Sequence, residues 1–185
     1  KTIEACAIIR QHVLERPTDH HVLIAVPPQL VGQWQEELKD RFFLGPQLDD
    51  SIHVVNSDDS KALADSVKSA TLMVVDEAHH VSAHWDSSIK ANRDLWKIYC
   101  SLAMDCKRVL LLSATPVLRN EDGFLAMLHL LDPDIYPLSD KGRKEFKRRV
   151  EERTSIAELF SLFVPEEDGF TLGKYLDEII EIFPE

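Results

Sequence analysis

The stretch Leu72-Met73-Val74-Val75-Asp76-Glu77 constrains the fold more than any other in the chain. Four apolar residues in a row, two of them β-branched, are too few for a helix and expose no polar face. They predict a strand buried on both sides of a parallel sheet. Asp76 and Glu77 follow at its carboxyl end. In an open α/β sheet that edge is where strand tips and departing loops wall a ligand crevice. The pair is placed there for chemistry, unless it serves the next helix as an acidic cap on free backbone N–H groups.

Other segments repeat the pattern. Val22–Val26 is a second all-apolar run, stopped by Pro27-Pro28 because proline cannot extend a ladder. A helix should follow, with Leu30, Trp34, Leu38 and Phe42 on one side, Gln35, Glu36 and Lys39 on the other, and Gly45-Pro46 as its end. Residues 51–55 predict a third strand, and Asn56, Ser57, Asp58 and Asp59 a turn that caps a helix over 60–67. After the central strand, 81–88 reads as a loop, and 89–104 as a helix burying Leu95, Ile98, Tyr99 and Leu102. Residues 108–112 form the next buried strand, followed by Ser113-Ala114-Thr115-Pro116, and 124–131 a helix ending before Asp132-Pro133. Strands alternating with helices, without hairpin signals, imply right-handed crossovers. The expected fold is α/β, a mostly parallel sheet covered by helices on both faces.

From about residue 140 the pattern is helical only. Lys141, Arg143, Lys144, Lys147, Arg148, Arg149 and Arg153 crowd one segment, diluted by Glu145, Glu151 and Glu152, so it reads as a solvated face before a phosphate contact. Leu172, Leu176, Ile179, Ile180 and Phe183 make an apolar stripe. The expected division is a sheet lobe over 1–139 and a helical extension over 140–185.

Several classes are excluded. With 185 residues, 44% of them hydrophobic, the chain can bury a full core. No apolar run approaches the roughly 20 residues of a bilayer helix, and residues 1–10 are no signal peptide. A soluble, cytoplasmic protein without a membrane partner is expected. Cys6, Cys100 and Cys106 include no CxxC pair, so reduced thiols are expected, not a disulfide framework or a zinc ribbon. The net charge of −11 restricts any nucleic-acid contact to a local patch.

Two strand tips now carry polar signatures, Asp76-Glu77-Ala78-His79 and Ser113-Ala114-Thr115, and Lys1-Thr2 opens a helix. Lys-Thr is the tail of a P-loop, where the lysine meets phosphates and the hydroxyl ligates magnesium. Paired with a buried strand ending in Asp-Glu, it gives Asp76 to the magnesium and Glu77 to the attacking water. His80 and His84 lie four apart, but no third ligand supports a metal site, so they read as loop histidines.

Four blocks together resemble the first RecA-like lobe of a Swi/Snf-type superfamily-two DNA translocase, a helicase-like ATPase. They are Lys1-Thr2-Ile3-Glu4-Ala5, residues 22–38 with Val26-Pro27, Gln33-Trp34 and Glu37, the DEAH-box-like run 72–80, and 110–116 continuing to Leu130-Leu131-Asp132-Pro133. The Asp-Glu-Ala-His-His run and the Leu-Asp-Pro ending are most similar to the bacterial RNA-polymerase-associated branch. The resemblance covers about residues 1–136. It implies a RecA-like P-loop NTPase lobe that binds ATP and Mg2+ through Lys1, Thr2 and Asp76, with Glu77 and His79 catalytic. It also implies that Ser113, Ala114 and Thr115 couple the site to movement, and that Pro27, Gln33 and Ser57 approach nucleic acid, Trp34 being core packing. The implied partners are double-stranded DNA, a second RecA-like lobe of the same polypeptide, and RNA polymerase or another DNA-processing complex.

Three departures follow. The P-loop glycines are absent, the segment 55–71 is short with Ser57 as its one candidate contact, and the arginine-bearing second lobe is missing. The chain alone is therefore expected to be inactive. The alternatives are a lobe of an RNA helicase or restriction-type translocase, and a non-catalytic RecA-like interaction module, which would have no need of Asp76, Glu77 and His79.

Overall fold

The computed structural model describes residues 1–65, 70–114 and 121–162. Thr115, Pro116, the end of the helix expected over 60–67 and the stripe from Leu172 to Phe183 lie outside the described residues. The chain divides into two compact units, Lys1–Tyr136 and Pro137–Glu185.

In the first unit four strands, β1 (Val22–Val26), β2 (Ile52–Asn56), β3 (Leu72–Val75) and β4 (Val109–Leu111), form one parallel sheet in the order β2-β1-β3-β4. Val22 stands opposite both Ile52 and Leu72, and Met73 opposite Val109. β1 and β3 are buried at every position, as an uninterrupted apolar run requires between two helical layers.

On one face Val22, Ile24, Val26, Leu72 and Val74 meet Ala5, Cys6, Ile9 and Val13 of α1 (Thr2–Glu15), with Trp34 of α2 (Val31–Glu36) and Leu38 just beyond it. Burial pushes the Cys6 thiol up to about 12, with the Glu37 charge a smaller cause, so it packs as an inert apolar group. The alternate residues Leu23, Ala25, Met73 and Val75 are buried too, so the second face is also covered. The helices outside the first cluster are α3 (Ser60–Asp65), α4 (Ala78–Ser82), α5 (Lys90–Asp105) and α6 (Glu121–Leu131). They bury Leu63, Val81, Leu95, Trp96, Tyr99, Leu102 and Leu125. α3 starts where expected because Asp59 Oδ1 accepts from the N–H groups of Lys61 and Ala62, at 3.1 and 2.9 Å.

Four expectations need correction. The helix after β1 is not one α-helix running to Gly45. A 3₁₀ turn (Pro28–Leu30) leads into α2, a π-turn (Glu37–Arg41) follows, and Gly45–Gln47 begins a new 3₁₀ turn. The reversal comes earlier because Leu44 N–H closes back on Leu38 C=O at 2.9 Å, which buries Leu44 and leaves Phe43 at φ 58°. Residues 81–88 are not all loop, since Val81 and Ser82 complete α4. α6 begins at Glu121, ahead of the expected Phe124. β4 is half-buried, not buried, because it is the outermost strand among the described residues.

The second unit carries α7 (Asp140–Leu162). Within it Arg148 Nη2 and Arg149 Nε donate to Glu145 Oε1 at 2.8 and 2.9 Å, and Arg148 also pairs with Glu152. These hydrogen bonds hold the Glu145 carboxyl down at about 2. At these positions the basic run is an internally paired helix face. Among the described residues no helix is long and apolar enough to cross a membrane.

Candidate active site at the carboxyl edge of the sheet

From β1 the chain goes to β2 on one side, whereas β3 lies on the other side and leads on to β4. The topology therefore reverses between β1 and β3. In a parallel sheet that reversal opens a crevice at the carboxyl ends of the two strands. Asp76 stands at its floor. Its N–H donates to Ala25 C=O on β1 at 2.9 Å, and the residue is 5% exposed. Both carboxylate oxygens have donors: Oδ1 accepts from Glu77 N–H at 2.9 Å, and Oδ2 from Trp34 Nε1–H at 3.0 Å.

Glu77 occupies the left-handed region at φ 49°, ψ 45°. A non-glycine residue pays of order 1 kcal/mol to sit there, and such strain concentrates at functional sites. Glu77 is also the residue before α4, yet its side chain makes no capping hydrogen bond. Glu77 itself is therefore not the acidic cap, and of the pair only Asp76 accepts a backbone N–H there, that of Glu77. The Glu77 carboxylate instead meets Lys1 Nζ at 3.2 Å through Oε1 and His79 Nδ1 at 3.3 Å through Oε2. His79 Nδ1 lies 3.2 Å from Ser113 Oγ, at the tip of β4. Ala78 N–H, bonded to Leu112 C=O at 2.8 Å, fixes the two tips against each other. A half-exposed pair such as Lys1–Glu77 adds well under about 1 kcal/mol to stability. Its information is positional: residues 1, 77, 79 and 113 form one connected polar line.

Magnesium favours carboxylate and hydroxyl oxygens and keeps much of its water. A buried Asp76 with lone pairs to spare and the half-buried Thr2 on the first turn of α1 fit that demand. Lys1, the residue ahead of α1, makes no side-chain cap hydrogen bond, and a helix N-terminus is a setting that favours phosphate.

The other candidates divide. Gln33 is exposed on α2, whereas Pro27 and Ser57 are buried. The Ser57 main chain is engaged on both sides, donating to Val26 C=O and accepting from Tyr99 Oη–H, each at 2.8 Å. Ala114 is exposed, and Thr115 lies outside the described residues. His80 is exposed and its ring packs at 4.2 Å from that of His79, while His84 Nε2 is 4.0 Å from Asp58. No cluster of three or more His, Cys, Asp or Glu suited to a metal occurs among the described residues.

Sequence reasoning missed the second role of Trp34. It expected core packing, and the ring is indeed 1% exposed, but the indole N–H also reaches Asp76. A usable signal existed, because a buried indole N–H requires an acceptor and the helix leaving β1 passes the tip of its neighbour strand.

Residues 51–168 match the SNF2-related domain. The RNA polymerase-associated protein RapA of Pseudomonas putida (strain W619) is 35% identical over 155 residues, covering 72% of this chain and 16% of the relative. RapA of Pseudomonas syringae pv. tomato is 34% identical over the same length, again 16% of that protein. The chain thus spans about a sixth of the length of these curated relatives. A solved Sulfolobus solfataricus SWI2/SNF2 ATPase core in complex with dsDNA superposes with a TM-score of 0.56 at 14% identity, over 98% of this chain and 50% of that one. At this identity the likeness shows the fold alone, a RecA-like α/β lobe. By the domain match, which spans more than half of its residues, this chain belongs to the SNF2-related domain family, of Swi/Snf type.

Proposed function

We propose that this chain is the ATP-binding lobe of an ATP-dependent translocase that couples hydrolysis to movement on double-stranded DNA. The observation that carries the reading is the convergence of Lys1, Asp76, Glu77, His79 and Ser113 on one sheet edge. ATP with magnesium supplies a phosphate centre that water cleaves slowly until charge is neutralised and the water aligned. Lys1 Nζ meets phosphate oxygens, and Thr2 and Asp76 hold the metal. Glu77 orients the attacking water and takes its proton on a carboxylate oxygen. Lys1 restrains Glu77 in the state described here and releases it when a phosphate offers more charge. His79 bridges Glu77 to Ser113, and Ala114 and Thr115 complete the coupling segment.

Gln33, exposed beside the site, is the side chain proposed to meet the duplex backbone; Pro27 and Ser57, being buried, shape the neighbouring loops. A second RecA-like lobe of the same polypeptide supplies the missing transition-state charge. The name of the relatives makes RNA polymerase the first partner to test, and a cytoplasmic compartment is part of the proposal. The decisive assay is ATP hydrolysis by the full-length polypeptide carrying this chain. Duplex DNA should stimulate it more than single-stranded RNA does, and stimulation by RNA alone would favour the RNA-helicase alternative. The chain by itself should release no phosphate above background, and with a net charge of −11 should bind duplex weakly and lose that binding as salt rises.

A further inference from the structure

We propose that Trp34 is a positioning residue for Asp76, its indole N–H fixing the direction in which that carboxylate is presented; the inference rests on Asp76 being the metal carboxylate. Both groups are buried, at 1% and 5% exposure, and lie 3.0 Å apart across 42 positions of sequence. A hydrogen bond to a carboxylate away from water is stronger than one between neutral groups. A carboxylate held by one donor can still turn about that contact. Here the two oxygens are held by donors from two different elements, Glu77 N–H after β3 and the Trp34 indole on α2. Two fixed points set its plane.

The same indole packs in the core cluster with Ala5, Cys6 and Ile9 of α1, the helix that begins with Lys1 and Thr2. Its ring is buried in the core and its N–H is bonded to Asp76, so packing and hydrogen bonding separate chemically.

The test removes the N–H and keeps the ring. In the full-length polypeptide, Trp34→Phe is compared with replacement of Trp34 by β-(3-benzothienyl)alanine, which puts sulfur where the N–H was at nearly unchanged shape. Affinity for a non-hydrolysable ATP analogue is measured by calorimetry with Mg2+ and again in EDTA. Both variants should weaken the Mg2+-dependent binding on the order of tenfold, as loss of a partner behind a metal ligand does, while metal-free binding stays within about twofold. Circular dichroism should be unchanged for the benzothienyl variant. Equal losses with and without Mg2+, no loss in either, or a loss confined to Trp34→Phe would each overturn the proposal and leave Trp34 as packing. Asp76→Ala in the same assay separates the two levels. If it abolishes the Mg2+-dependent increment and the Trp34 variants leave that increment unchanged, only this inference fails; if it leaves the increment intact, the metal reading of Asp76 fails first.

Discussion

The two edges of the sheet hold polar groups of the same kinds to opposite effect. At the amino edge His12, 2% exposed, has Nε2 2.8 Å from Thr71 Oγ1, and Arg108 Nη1 lies 3.5 Å from its Nδ1. Thr71 Oγ1 accepts from His21 N–H at 3.0 Å and donates to His21 C=O at 3.1 Å. With the His12 proton on Nε2 every member has its partner, so the network has no capacity left for a ligand. At the carboxyl edge the polar line of Lys1, Glu77, His79 and Ser113 is half-exposed, and one member is held in a left-handed conformation. Helix α1 spans both, with Lys1 at one end and His12 and Glu15 at the other. A closed network specifies where helix and strands sit; an open one leaves charge to be completed from outside. Burial with full pairing reads as structure, and partial exposure with strain reads as function.

The sharpest way to break this contrast is at Glu77. In the full-length polypeptide Glu77→Gln should lower turnover by roughly a hundredfold or more with nucleotide binding nearly intact, whereas Asp76→Ala should lose binding and turnover together. Near-parental hydrolysis by Glu77→Gln would return the pair to a structural role.

At the other edge the expected loss is in stability. Thr71→Val strands His12 Nε2 and His21 N–H, so urea unfolding of this chain should show a deficit of about 1–3 kcal/mol. Mg-nucleotide affinity should not move, and if it does the two edges are not independent.

A smaller effect is expected where the carboxyl edge meets β4. Ser113→Ala removes one hydrogen bond to His79, worth about 1 kcal/mol, so duplex-stimulated turnover should fall roughly two- to tenfold at unchanged nucleotide affinity. A fall in basal and stimulated rates by the same factor would place Ser113 in hydrolysis itself, outside the coupling.

The smallest effect is a pH dependence. Burial first, then the Arg108 and Arg16 guanidinium groups, hold His12 below the usual histidine range, against an opposing Glu15. The folded state thus keeps His12 neutral where the unfolded chain takes up a proton. The stability tied to neutral His12 is complete above the unfolded value near 6.5 and is lost as pH falls from there through the lowered folded value. Urea midpoints at pH 7.5 and 5.5 should differ less in His12→Gln than in the parent; equal differences would mean that His12 is not the group titrating.

Much of the fold was legible in the sequence because it rests on local patterns. The β-branched and apolar runs at Val22–Val26 and Leu72–Val75 can be buried on two faces only as strands of a covered parallel sheet, and both appear with those bounds. Asp59 marks the start of α3 because a carboxylate there accepts from two free N–H groups. Boundaries set by tertiary packing were less legible. The helix after β1 turns at Phe43 to bury Leu44, and the apolar run of β4 looks like any buried strand until its outer position in the sheet leaves it half-exposed.

The sequence by itself determined which residues can carry charge at strand tips and that strands alternate with helices, since both are written in runs of a few residues. Only the tertiary structure decided which tips are neighbours. Placing β3 between β1 and β4 brings Glu77 within 3.2 Å of Lys1, 76 positions away, and Asp76 within 3.0 Å of the Trp34 indole. Strand order is a property of the assembled sheet, chosen by how all the buried faces are covered at once, and no single segment contains it.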